Sequence, residues 1–220
     1  MSNIDFSKKN YILCNGFWPG FIENTDSNTF IFFDNIFKKC KFKNFELTND
    51  LNKANILFES LFTKGRSYLA LKKWDLTIHY SGEPFTTNNN YDIYLDSEYS
   101  SVEKKIVNIP LVIYYIFNRK CIDIFFNNFK LKTYEDIPKK FCCFIVSNAK
   151  SPVRNKVFFE LNKYKKIESW GNHYNNMGKV LSTDYWSPEF INFLSEYKFA
   201  LYFENTKKGT YITEKIVNPL

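Results

Sequence analysis

Three places in this 220-residue sequence hold residue types able to do chemistry. Ser147 and Asn148 are followed by Arg154; Glu204 and Asn205 are followed by Tyr211, Glu214 and Lys215; and Glu83 lies between Gly82 and Pro84. A diphosphate is held by fixed cations together with free backbone N–H groups, and helix N-termini supply the latter. Arg154 lies one helical turn beyond Ser147-Asn148, and Lys215 stands where a helix is expected to begin near Tyr211. Both stretches therefore carry what one anionic ligand needs. Spacing alone leaves open the plainer reading, in which Arg154 and Lys215 stud solvated helix faces. Glu83, before a proline in a glycine-containing turn, reads on spacing alone as a turn residue.

The elements that must position these residues alternate between strand and helix. In the first half, strands are expected at Tyr11–Cys14, Ala54–Leu61, Leu76–Tyr80 and Tyr91–Leu95, with helices at Thr29–Lys38 and Ser67–Lys73. Pro110–Phe117 is apolar and fits helix or strand. In the second half, Phe141–Val146 is a continuous apolar run, as in a buried parallel strand. Ser151-Pro152 then gives an N-cap and a first helical residue. Val153, Val157, Leu161 and Tyr164 recur as one helix face. Lys166–Ser169 is a short strand, Ser187-Pro188 opens a helix with Phe190, Leu194 and Tyr197 on one face, and Phe199–Phe203 is a strand. Thr206–Thr210 is a polar loop containing Gly209. This order predicts a parallel α/β sheet, in which ligands sit beyond the carboxyl ends of the strands. The polar, proline-bearing stretch Lys130–Lys140 separates a domain at 1–130 from one at 138–220.

Composition narrows the function classes. The 24 Phe and 15 Tyr accompany abundant Asn and Lys, a mixture that reads first as base-composition bias, so single aromatics carry little weight. Net charge is +7, with cations scattered among acids. That fits a solvated basic surface or a phosphate-bearing ligand. No zinc, RNP or helix-turn-helix pattern supports nucleic-acid binding. The five cysteines form no CxxC pair, so zinc is not implied and a reducing interior is the simplest setting. His79 and His173 read as structural or surface residues, and Trp18 and Trp170 as packing. Neither a signal peptide nor a long apolar span is evident, which predicts a cytoplasmic protein and leaves peripheral membrane contact open.

The string Tyr197-Lys-Phe-Ala-Leu-Tyr-Phe-Glu-Asn205, then Tyr211-Ile-Thr-Glu214-Lys215, closely resembles the signature of α1,3/4-fucosyltransferases. The likeness includes the six-residue step from Asn205 to Tyr211. Lys140–Asn148 with Arg154-Asn-Lys, Lys163–Gly171, and Ile78-His-Tyr-Ser-Gly-Glu83 resemble further family segments. The resemblance runs from about residue 50 to the end. It implies a GT-B glycosyltransferase with two Rossmann-like domains, the N-terminal one for the acceptor and the C-terminal one for GDP-fucose. Carried over, Arg154 and Lys215 would bind the diphosphate, Glu214 the ribose or fucose hydroxyls, with Asn205 and Tyr211 beside it. Glu83 would be the general base. The reaction implied is inverting transfer of fucose to a GlcNAc- or glucose-containing glycan in α1,3 linkage, in a bacterial or viral type of enzyme without a membrane anchor. Metal-dependent sugar transferases usually carry an Asp-x-Asp pair. None occurs here, so no metal or other cofactor is expected beside the donor itself.

Two features depart from the family. The sequence stops at Asn218-Pro219-Leu220, where relatives continue through further α/β units, so the C-terminal domain is expected to be incomplete. The alternative reading is a truncated, non-catalytic relative that only binds nucleotide or a partner. Pro84 stands where many relatives carry Asn, which restricts the backbone of Glu83.

Overall fold

A computed structural model of the chain describes residues 4–40, 42, 44–63, 66–85, 87–97, 105–120, 122, 134, 137–185 and 187–217. The contacts divide it into two compact units. One is Met1–Asn118 with Lys208–Tyr211, and the other is Arg119–Lys207 with Ile212–Leu220. Most of the expected linker (130–133, 135 and 136) and the end of the chain (218–220) lie outside the described residues.

The first unit is built on β1 (Asn10–Asn15), β2 (Phe45–Thr48), β3 (Ile56–Ser60), β4 (Leu76–Ser81), β5 (Ile93–Asp96) and β6 (Ile106–Asn108). They form one sheet in the order β2-β1-β3-β4-β5-β6, every pair parallel. The central β3 and β4 are buried along their whole length, including the polar residues Glu59, Thr77 and His79. The edge strands β2 and β6 were not expected from the sequence. They are short and partly exposed, so their pattern is weak. Helix α1 (Asn28–Lys39) is capped by the Ser27 hydroxyl, which accepts from Phe30 N, and ends in Lys38 and Lys39, favourable at the negative end of the helix dipole. It buries Phe32, Phe33 and Phe37. Phe33 packs edge-on to Tyr80 at 4.8 Å, and Phe37 edge-on to Phe58 at 5.2 Å. Truncating one of these rings to alanine is worth about 3–5 kcal/mol. The ambiguous segment after Pro110 is helix α2 (Leu111–Arg119). The helix expected at Ser67–Lys73 is absent. Those residues form turns, because Ser67 Oγ and Tyr68 N both donate to the buried Glu59 carboxylate (2.6 and 2.8 Å).

The second unit contains β7 (Lys140–Phe144), β8 (Glu168–Ser169) and β9 (Tyr197–Ala200), parallel and in the order β8-β7-β9. Helix α3 (Pro152–Tyr164) follows β7, and α4 (Pro188–Ser195) precedes β9. In α4 the Ser187 hydroxyl accepts from Phe190 N, and Phe190 and Leu194 are buried as expected. In α3 the expected face is wrong. Val153 is 67% and Tyr164 85% exposed, while Arg154 and Phe158 are buried. Ser151 occupies the cap position of α3 without a side-chain hydrogen bond. Among the described residues no helix is long and apolar enough to cross a membrane.

Candidate functional site

A cavity of about 220 Å³ opens beyond the carboxyl ends of β7 and β9, the position that parallel sheets favour. One wall is Ile145, Val146, Ser147, Asn148 and Arg154; the other is Leu201, Tyr202, Phe203, Asn205, Glu214 and Lys215, with Tyr185 between. The structure thus brings Arg154, Asn205, Glu214 and Lys215 to one cavity. The wall is set closely. A Cβ on Gly171 would lie 2.1 Å from Val146 O, so only glycine lets the segment after β8 pass there.

Arg154 decides what the cavity can hold. It is 1% exposed. Its Nη1 donates to Asn205 Oδ1 (3.0 Å) and its Nη2 to the Asn148 carbonyl, while its buried Nε has no partner among the described residues. Burial pushes its pKa down, and no carboxylate among the described residues offsets its charge. Desolvating a guanidinium costs several kcal/mol, only partly offset by two neutral acceptors. A buried cation lining a cavity can hold an anion by its chemistry.

Lys215 is wired differently. Its Nζ donates to Thr213 Oγ1 and Glu214 Oε1, both at 3.0 Å, and lies 3.6 Å from Glu204 Oε2. Glu204 also accepts from Thr213 N (2.7 Å) and Thr213 Oγ1 (2.8 Å). Such charge-assisted bonds contribute roughly 1.5–3 kcal/mol each. They tie the residues after Gly209 back to the end of β9. The helix expected to begin near Tyr211 is only a 3₁₀ turn, Glu214–Ile216, capped by the Thr213 hydroxyl.

Tyr185 lines the cavity without having been singled out in the sequence, and His173, read there as structural or surface, lies close enough to Arg154 to sense its charge. Burial, and then the Glu214 carboxylate, push the Tyr185 phenol up, with Lys215 opposing. His173 has its pKa lowered by burial and then by Arg154, and its Nε2 sits 3.1 Å from Asn155 Oδ1. Each is far in sequence from the residue it senses, and neither stands in a motif.

Glu83 and Tyr211 belong to the first unit. Glu83 sits just beyond β4, and Tyr211 Oη donates to its Oε2 at 3.2 Å. Tyr211 therefore meets Glu83 and does not line the cavity with Asn205, Glu214 and Lys215. On the same strand ends, His79 is buried and its Nδ1–H donates to Asp96 Oδ1 (3.3 Å). The buried Glu59 accepts from Asn15 Nδ2 (2.5 Å), Ser67 Oγ (2.6 Å) and the Tyr91 hydroxyl.

Residues 137–220 match the family model described as glycosyltransferase family 10 (fucosyltransferase), C-terminal. The match takes in the C-terminal 84 residues, the part of the chain that carries the cavity. The chain is 34% identical over 84 residues to the alpha-(1,3)-fucosyltransferase FucT of Helicobacter pylori, covering 38% of this chain and 16% of that protein. With alpha-(1,3)-fucosyltransferase B of Drosophila melanogaster it is 43% identical over 67 residues, covering 28% and 15%. A putative fucosyltransferase of Acanthamoeba polyphaga mimivirus aligns more widely, at 27% identity over 146 residues, covering 64% of this chain and 23% of the relative. The matched stretches thus span less than a quarter of these relatives. Crystal structures of an α1,3-fucosyltransferase with GDP and with GDP-fucose each give a TM-score of 0.64 at 20% identity. They cover 96% and 99% of this chain and 65% and 67% of theirs. The family expected from the motifs is borne out, and the fold is α/β of the GT-B class.

Proposed function

We propose that this chain is a fucosyltransferase. It takes GDP-fucose as donor and transfers fucose, with inversion, to a hydroxyl of a GlcNAc- or glucose-containing glycan in α1,3 linkage. The observation that carries this reading is Arg154, a buried cation with no carboxylate partner among the described residues, lining a cavity in the segment that matches the family 10 model. The named relatives are α1,3-fucosyltransferases, and the solved neighbours hold GDP or GDP-fucose.

In the proposed reaction Glu83 accepts the proton of the acceptor hydroxyl as its oxygen attacks the anomeric carbon of fucose. The bond from that carbon to the β-phosphate oxygen breaks, and its electron pair leaves with GDP. Arg154 and Lys215 stabilise the charge that grows on the leaving diphosphate, the role a metal ion fills elsewhere. Asn205 orients Arg154 through their hydrogen bond. Glu214 holds a ribose or fucose hydroxyl. Residues 1–130 serve the acceptor and 138–220 the donor, in a cytoplasmic protein.

Release of GDP from GDP-fucose in the presence of N-acetyllactosamine tests the proposal. Turnover that persists in EDTA and falls at least about 100-fold in Glu83→Gln is expected, the loss typical of a missing general base. Turnover at the wild-type rate in that variant removes Glu83 from the mechanism, and no turnover in the wild-type chain removes the transfer reading.

A further inference from the structure

We propose that Tyr211 is a positioning residue for Glu83, holding the carboxylate in the orientation from which it takes the acceptor proton. The inference rests on the role of Glu83 proposed above. It assigns to Tyr211 a task on the proton acceptor, where the motif resemblance placed that residue beside the donor.

The backbone around Glu83 is already fixed. Ser81 Oγ lies 2.9 Å from the Glu83 carbonyl and 2.9 Å from that of Phe85, closing the turn on itself. Gly82 is packed closely, since a Cβ there would lie 2.8 Å from Tyr80 Oη and 2.8 Å from Leu111 Cδ1 and would push those side chains aside. Pro84 restricts the Glu83 backbone from the other side. The freedom that remains is in the glutamate side chain. Its Oε2 accepts from Tyr211 Oη at 3.2 Å.

Tyr211 can fix that side chain because it is itself anchored. It is 8% exposed. Its neighbour Thr210 donates from N to the Ser97 carbonyl (3.2 Å) and from Oγ1 to the same oxygen, and it accepts from Asn108 Nδ2 (2.5 Å). Ser97 Oγ in turn reaches the Glu83 carbonyl at 3.5 Å. Segment Lys208–Tyr211 and the turn at Glu83 are thus mounted on one residue, Ser97, just beyond β5. A phenol on Oε2 leaves the other oxygen for the incoming hydroxyl. Without it, the carboxylate rotates among rotamers of which only some are productive.

The test compares Tyr211→Phe, Glu83→Gln and the double variant for kcat, acceptor KM and GDP affinity. Phe keeps the buried ring and removes the hydroxyl. Tyr211→Phe is expected to lower kcat about 10- to 100-fold, the scale of a misoriented catalytic group, with acceptor KM and GDP affinity within about twofold of wild type. In the Glu83→Gln background it adds no further loss, because both act through one carboxylate. GDP affinity falling in step with kcat would make Tyr211 a donor contact and overturn the proposal. An equal loss in both backgrounds would overturn it in favour of a structural role. Wild-type turnover in Glu83→Gln would instead sink the general-base reading, and this inference with it.

Discussion

The two walls of the cavity in the second unit hold one cation each, and they treat them in opposite ways. On the wall formed by β7 and α3, Arg154 is buried, bonded to two neutral oxygens, and makes no ion pair with a carboxylate among the described residues. On the wall formed after β9, Lys215 is half-buried beside Glu204 and Glu214. The first arrangement costs folding energy and leaves a charge to be satisfied by a ligand. The second is already neutralised and holds its own loop in place. In the proposed reaction, two cations that look alike in sequence would therefore divide the work, one as anion receptor and one as a tie that adds a smaller share.

The largest expected effect follows from Arg154. Arg154→Met should weaken GDP binding by at least about 100-fold, roughly 3 kcal/mol, while raising the melting temperature of the nucleotide-free protein, because an apolar side chain of similar length suits the buried position. Calorimetry and thermal melts read the two halves, and a lower melting temperature breaks the contrast. Lys215→Met should cost GDP affinity about tenfold, since its charge is partly spent on the two carboxylates. Removing one of those carboxylates sharpens the comparison. Glu214→Gln should strengthen binding of inorganic pyrophosphate about fivefold, close to 1 kcal/mol, by deleting a negative charge from the cavity. The same variant should weaken GDP if Glu214 holds the ribose.

The smallest effect is a titration. His173 is held below its ordinary pKa by burial and by Arg154. Its neutral form is the one the fold favours, so stability is greatest above about pH 6.5 and falls as the pH drops from there through the lower folded value. By NMR, Arg154→Met and GDP should each raise the His173 pKa. An unmoved titration in both would mean that the guanidinium charge does not reach that wall.

Much of this was legible in the sequence, and the gaps have physical causes. The parallel α/β order, most strand cores and the grouping of Arg154 with Asn205, Glu214 and Lys215 followed from apolar runs, caps and the Tyr197–Lys215 motif. The buried face of α3 did not. Periodicity assumes that apolar residues point inward, but here Arg154 does and Val153 and Tyr164 do not. The 3₁₀ turn at Glu214 was hidden because Glu204 captures Thr213, a contact between residues on either side of a loop. Ser67–Lys73 failed as a helix for the same kind of reason, with Glu59 drawing Ser67 and Tyr68 into turns. Tyr211 was grouped with its motif neighbours, whereas its hydroxyl meets Glu83, 128 residues earlier.

Titrating GDP calorimetrically into the wild-type chain, Arg154→Ala and Lys215→Met puts the division of labour to the most direct test. The account predicts one site in the wild type, a loss of at least about 100-fold in Arg154→Ala, and a clearly smaller loss in Lys215→Met. Arg154→Ala binding GDP within about twofold of wild type, or Lys215→Met losing more than it, would contradict the account.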